Sequence, residues 1–76
     1  MIEVSERDGK PVYVSSDPTE LDDLSIYLEE VFPDAQLGRV FRDKSMGTNL
    51  LPVDMGEETT KKDFTDLLDL YRRMKA

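Results

Sequence analysis

The chain of 76 residues contains neither cysteine nor histidine. It therefore lacks the disulfide bonds and the usual zinc ligands that stabilise many domains of this size. A hydrophobic core must hold the fold together, in a chain that is long enough for only one domain. Apolar residues make up 38% of the sequence, but they recur periodically, as in a folded domain. We expect a single domain over residues 1–76.

The same two absences restrict the chemistry that the protein can perform. Small enzymes mostly use histidine or cysteine as a base, nucleophile or metal ligand. Ser45 could act as a nucleophile only if the neighbouring Lys44 were buried and deprotonated, so that it could serve as the base. Asp54, Glu57 and Glu58 lack the alternating ligands and central glycine of a calcium-binding EF-hand loop. We therefore expect no catalytic residue, no cofactor and no metal, and predict that the protein is not an enzyme.

The N-terminal segment has the pattern of a β-hairpin. Residues 2–6 alternate between apolar and polar, as in a strand that is buried on one face. Arg7–Lys10 contains the dipeptide Asp-Gly, which is typical of hairpin turns. Pro11–Ser15 is predicted to form the second strand.

The length of the hairpin loop decides which side chains share a face. A two-residue turn places Val4 opposite Tyr13, whereas a three-residue loop that begins at Arg7 places Val4 opposite Val12. Only the three-residue loop collects four β-branched side chains on one face. These side chains are Ile2, Val4, Val12 and Val14. We therefore favour the three-residue loop.

Two amphipathic helices are clearly indicated. Asp17 is a good N-cap for the first, Pro18 suits its first position, and Pro33 ends it. The second begins after Thr59 or Thr60, either of which can act as its N-cap. The apolar stripe of the first helix is Leu21, Leu24, Leu28, Val31 and Phe32, and that of the second is Phe64, Leu67, Leu68, Tyr71 and Met74.

Two further strands are predicted between the helices. Ala35–Asp43 is the third strand, and either Val40 or the pair Leu37 and Phe41 points inward. Leu50–Met55 is the fourth, and its Pro52 indicates an edge position. The predicted fold is α+β in the order ββαββα, a mainly antiparallel sheet with two helices packed on one face.

The predicted core takes Val40 as the inward residue of the third strand. Its members are Ile2, Val4, Val12, Val14, Leu21, Leu24, Leu28, Val31, Phe32, Val40, Phe64, Leu67, Leu68 and Tyr71. A free edge at strand one or strand four could pair with a second copy and form a homodimer.

The charge of the chain indicates the kind of partner that it binds. Its formal net charge is −7, which disfavours direct contact with DNA or RNA and favours a protein with a basic surface. We predict a non-enzymatic protein-binding domain that acts as a regulator or inhibitor of another protein. The alternative is a mimic of DNA that occupies a nucleic-acid-binding protein.

Two candidate surfaces follow from the helical wheel and from the local charge. The first, which we name the helix-one face, carries an apolar residue among acids opposite the buried stripe. It consists of Asp22, Asp23, Ile26, Glu29 and Glu30. The second is a basic stretch that either pairs with acids of the chain or contacts an anion. It consists of Arg39, Arg42 and Lys44.

The sequence also bears on where the protein acts. Met1-Ile2-Glu3-Val4 has neither the basic segment nor the apolar core of a secretory signal. No apolar run approaches the length of a membrane span. We therefore expect a cytoplasmic protein that does not contact membranes.

Overall fold

A computed structural model describes residues 1–75, which form six strands and two helices. The elements are β1 (Glu3–Arg7), β2 (Lys10–Ser15), α1 (Pro18–Val31), β3 (Gln36–Leu37), β4 (Phe41–Asp43), β5 (Thr48–Leu51), β6 (Val53–Asp54) and α2 (Lys61–Lys75). Four strands form an antiparallel sheet in the order β1-β2-β5-β4, and β3 pairs with β6. The predicted α+β fold is confirmed. Within the described residues, neither helix has the length and apolar character that crossing a membrane requires.

The loop of the first hairpin differs from the prediction. Val4 lies opposite Tyr13 and Arg7 opposite Lys10, so the turn has two residues and the predicted three-residue loop is wrong. Asp8 and Gly9, the two turn residues, have φ angles of 54° and 78°. This left-handed pair is typical of a type I′ turn, whose twist matches that of the flanking strands.

The register brings Tyr13 to the centre of the main core. Its side chain is fully buried, its ring stacks on that of Phe64 with 4.7 Å between centroids, and its hydroxyl donates to the Phe64 carbonyl at 2.8 Å. Burial raises the pKa of Tyr13. The main core lies between the sheet and both helices, and its buried members are Ile2, Tyr13, Leu21, Leu24, Leu28, Leu51, Phe64, Leu68 and Tyr71.

A second, smaller core covers the opposite face of the sheet. It contains Val12, Val14 and Leu50, with Met46 packed against them. The side chains of Arg7 on β1 and Asp43 on β4 meet over this face, with 2.9 Å between Nε and Oδ2. Both faces of β2 are therefore buried. The three-residue loop was favoured because it placed all four β-branched side chains on one face, and burial of both faces makes that arrangement unnecessary.

The second half of the chain contains shorter strands than predicted. The predicted strand Ala35–Asp43 is divided between β3 and β4, which belong to different sheets. Leu37 and Val40 both pack against the main core, whereas Phe41 lies on the other face of the sheet and is 37% exposed. The sequence analysis set Val40 against the pair Leu37 and Phe41, but the structure packs one residue from each alternative, Val40 and Leu37, against the main core.

The predicted fourth strand also divides, at Pro52. Its first part, β5, lies between β2 and β4, so the predicted edge position is wrong. Pro52 lies between β5 and β6, where its carbonyl accepts a hydrogen bond from Gly38 N–H at 2.9 Å. A Cβ atom on Gly38 would lie 2.5 Å from Pro52 Cγ, so this close approach requires glycine. The edges of the larger sheet are β1 and β4.

The helices agree closely with the prediction. Asp17 caps α1 by accepting the Thr19 amide at 2.9 Å. Thr60 caps α2: its amide donates to Asp63 Oδ2 at 2.9 Å, and the Asp63 amide donates to Thr60 Oγ1 at 3.4 Å. Val31, however, is 46% exposed, so its predicted place in the core is wrong. It is the last residue of α1, where the chain turns away and leaves one side of the helix open.

Candidate protein-docking surface

The helix-one face is exposed along the length of α1. All five of its residues are exposed, and Ile26 has 57% of its surface accessible. Helical spacing brings these residues together because the buried stripe, Leu21, Leu24 and Leu28, occupies the opposite side. An isoleucine in this position contributes nothing to the core.

One member of this face is held by the second helix. Asp23 Oδ2 lies 3.4 Å from Lys75 Nζ, and Lys75 lies over the Tyr71 ring at 5.3 Å. The Tyr71 hydroxyl and then the Asp23 carboxylate raise the pKa of Lys75. Both partners of the ion pair are about half exposed, so the pair adds little stability. Asp23 is therefore less available to a binding partner than the other acids of the face.

The second helix adds apolar surface that the sequence analysis missed. Leu70 is 49% exposed, and Met74, which the sequence analysis placed in the apolar stripe of this helix, is 68% exposed and lies outside the core. Tyr27 of α1 lies against Tyr71 with 5.3 Å between ring centroids, so the two helices form one layer above the sheet. The sequence did contain a signal for the exposure of Leu70, because on the helical wheel this residue lies outside the stripe formed by Phe64, Leu68 and Tyr71. The outer surface of this layer therefore carries apolar side chains on both helices.

The three basic residues of the second candidate surface are all exposed. Arg42 lies opposite Asn49 and points to the helix side of the sheet, while Lys44 lies in the turn after β4. Within residues 1–75, no carboxylate lies within 4.0 Å of Arg39, Arg42 or Lys44. The ion pairs expected as one interpretation of this stretch are thus not formed in that part of the chain.

A buried carboxylate, that of Asp43, has a structural role. Its Oδ1 accepts hydrogen bonds from the Ser45 hydroxyl at 2.6 Å, the Ser45 amide at 2.9 Å and the Met46 amide at 3.3 Å. The Ser45 hydroxyl contributes most to lowering the pKa of Asp43, and the two amides and the Arg7 guanidinium lower it further. The contact between Oδ2 and Arg7 is an ion pair without an aligned hydrogen bond.

Asp43 should make the stability of the domain depend on acid pH. Its folded-state pKa is below the usual 3.8, so its stabilising effect is complete above that value and is lost as the pH falls through the folded-state pKa. We expect Asp43→Asn to be less stable than the unaltered protein at pH 7, with a smaller difference at about pH 3. Urea unfolding at both pH values measures this. A difference that is the same at both pH values would contradict it, and Asp8→Asn, in the exposed turn, is the control.

The part of the chain that the structure describes contains no candidate metal-binding site. No group of three or more acidic side chains there could hold a metal ion. Asp54, one of the acids considered above, instead accepts the Gly56 amide at 3.0 Å. That folding requires no metal stays a prediction.

Comparison with known proteins gives no assignment: the chain matches no protein-family model, no curated protein and no solved structure. Its function is therefore inferred from its own residues. Among the described residues, the helix-one face is an exposed surface on which an apolar side chain lies among acids.

Proposed function

We propose that this protein is a non-enzymatic binding domain whose helix-one face docks on a basic surface of another protein. The observation that supports it most is the 57% exposure of Ile26 among four acidic side chains. In protein interfaces, an apolar anchor at the centre supplies much of the affinity, and a charged rim supplies specificity and a fast association rate. Regulation or inhibition of the partner is the role that such a small domain would perform.

The acids at the end of α1 add a further argument. Glu29 and Glu30 lie near the C-terminal end of the helix, where the dipole favours cations, and its last turn contains no basic residue. Each unfavourable charge costs about 0.3–1 kcal/mol at an exposed site. A cationic side chain from a partner would offset this cost. The acidic rim and the helix dipole therefore both favour a partner with a basic surface. A residue pattern that opposes local preference often marks a functional surface.

Mimicry of DNA is the alternative, and the acids exposed on both helices support it. The apolar side chains among those acids, Ile26, Leu70 and Met74, weigh against it, because a row of phosphates has no apolar counterpart. The two functions differ in their response to salt. Binding of a DNA mimic should weaken steeply as salt rises, and duplex DNA should compete, whereas an apolar anchor depends little on salt.

The test is capture of partner proteins from a host-cell lysate by the immobilised domain and by a double variant, Ile26→Ser with Asp22→Lys. Asp22 is preferred to Asp23 because Asp23 pairs with Lys75. We expect the double variant to capture at least about tenfold less of the partner, with a melting temperature within a few degrees of the unaltered domain. Glu6→Lys, on an exposed part of β1, introduces the same change of charge and should capture normally.

Normal capture by the double variant would show that the helix-one face is not the binding surface. Arg39, Arg42 and Lys44 would then be the next surface to test. Capture that is lost in both variants and is displaced by duplex DNA would favour mimicry, because it would depend on overall charge.

A further inference from the structure

A groove lies at the C-terminal end of α1, outside the helix-one face. One wall is formed by residues 31–36, which end α1 and lead into β3. The other is formed by residues 54–56, which begin at the last residue of β6. Its volume is about 660 Å³, and it is open to solvent. A shallow extension shares Phe32 and Met55 with it and continues along α2 as far as Leu67. We name the two together the α1-end groove.

The floor of the α1-end groove is apolar. Phe32, Met55 and Leu67 are partly buried and pack against the main core, which holds them in place. Val31, at the lip, is 46% exposed. A side chain inserted from outside would cover apolar surface that is already ordered, so binding would not require the protein to rearrange. Methionine also adapts its shape to different partners.

The rim of the α1-end groove is acidic. The lining residues include Asp34, Asp54, Asp63 and Asp66, and contain no lysine or arginine. Two of these carboxylates are held in position by backbone hydrogen bonds: Asp54 accepts the Gly56 amide at 3.0 Å, and Asp63 accepts the Thr60 amide at 2.9 Å. The carbonyl end of α1, which has no basic residue in its last turn, adds negative potential.

We propose that the α1-end groove binds a short segment of a partner protein that carries one large apolar side chain flanked by lysines or arginines. The apolar side chain would pack over Phe32 and Met55, and the flanking cations would meet the aspartates of the rim. A second copy of this chain fits poorly, because both copies carry a net charge of −7. A nucleic acid is excluded by the same sign of charge.

This site is independent of the helix-one face, since none of the five residues of that face lines the groove. The two surfaces can therefore be tested separately. Val31 and Asp34 are both exposed, so they can be changed with little effect on the fold. The double change Val31→Ser with Asp34→Lys matches Ile26→Ser with Asp22→Lys in chemistry and in charge.

The experiment uses two synthetic peptides that differ in one side chain, acetyl-Gly-Lys-Lys-Phe-Lys-Lys-Gly-amide and the same peptide with serine in place of phenylalanine. Each is titrated into the isotope-labelled protein and followed by ¹⁵N–¹H NMR. We expect the phenylalanine peptide to bind at least about tenfold more tightly, and to shift the amide signals of Phe32, Ala35 and Met55. The groove variant should weaken this binding about tenfold, and the helix-one variant should leave it within about twofold.

Three results would overturn the proposal. Equal affinity for the two peptides would show that only charge attraction operates. Signal shifts confined to the helix-one face would place the site there instead. No shift with the phenylalanine peptide at about 2 mM would mean that the groove does not bind this chemistry. The comparison of the two peptides uses the unaltered protein, so it does not depend on whether a variant folds.

Discussion

Replacing Leu28 with alanine should lower the free energy of unfolding by about 2–4 kcal/mol. Leu28 is completely buried in the main core, where deleting its side chain removes apolar contacts and leaves a cavity. Domains of this size are stable by only roughly 4–11 kcal/mol, so the change removes a large part of the total. Urea and thermal unfolding should show it, the latter as a fall in melting temperature on the order of 10–30 °C.

Leu70→Ala is the matched control, because it deletes the same atoms from a leucine of α2 that is 49% exposed. It should cost less than about 1 kcal/mol. Leu67 is partly buried, so Leu67→Ala should fall between the two. If Leu28→Ala cost no more than Leu70→Ala, the orientation of α1 on the sheet would be wrong.

Replacing Tyr13 with alanine should cost about 3–5 kcal/mol, as for other large buried aromatic residues. The change removes the stacking on Phe64 and the hydrogen bond to its carbonyl. This measurement also tests the hairpin register, because the three-residue loop would turn Tyr13 away from the helices. Equilibrium unfolding in urea, followed by circular dichroism, gives the value.

Tyr13→Phe separates the two contributions. It keeps the ring but removes the hydroxyl, so it should cost only about 0.5–1.5 kcal/mol. A loss below about 1 kcal/mol for Tyr13→Ala would mean that the side chain is not in the main core. The observed two-residue turn would then be wrong.

The helices could be predicted because their signals are local. The Asp17 cap, the proline that follows it and the stripe of Leu21, Leu24 and Leu28 all lie within one segment, and each indicates the same boundary or face. The exposure of the helix-one face followed from the same helical wheel, because the face lies opposite that stripe. Val31 was the exception, because its burial depends on how far the neighbouring elements extend past the end of α1.

The strands were predicted less well because each depends on distant segments. The hairpin register was chosen on the assumption that one face of the sheet would be buried. In the structure both faces are buried, because Val12, Val14 and Leu50 form a second core on the face opposite the helices. The division of the fourth strand at Pro52 similarly depends on its contact with Gly38, fourteen residues earlier. Local patterns of apolar residues do not contain these contacts.

The sequence by itself determined the two helices, the Asp17 cap and the exposed face of α1, and the absence of cysteine and histidine. These properties depend on neighbouring residues or on composition alone. Only the tertiary structure decided that Tyr13 is central to the core, that a second core exists, and that a groove opens at the end of α1. That groove combines segments around residues 32, 55 and 67, which become neighbours only when burial of the main core brings α1, β6 and α2 together.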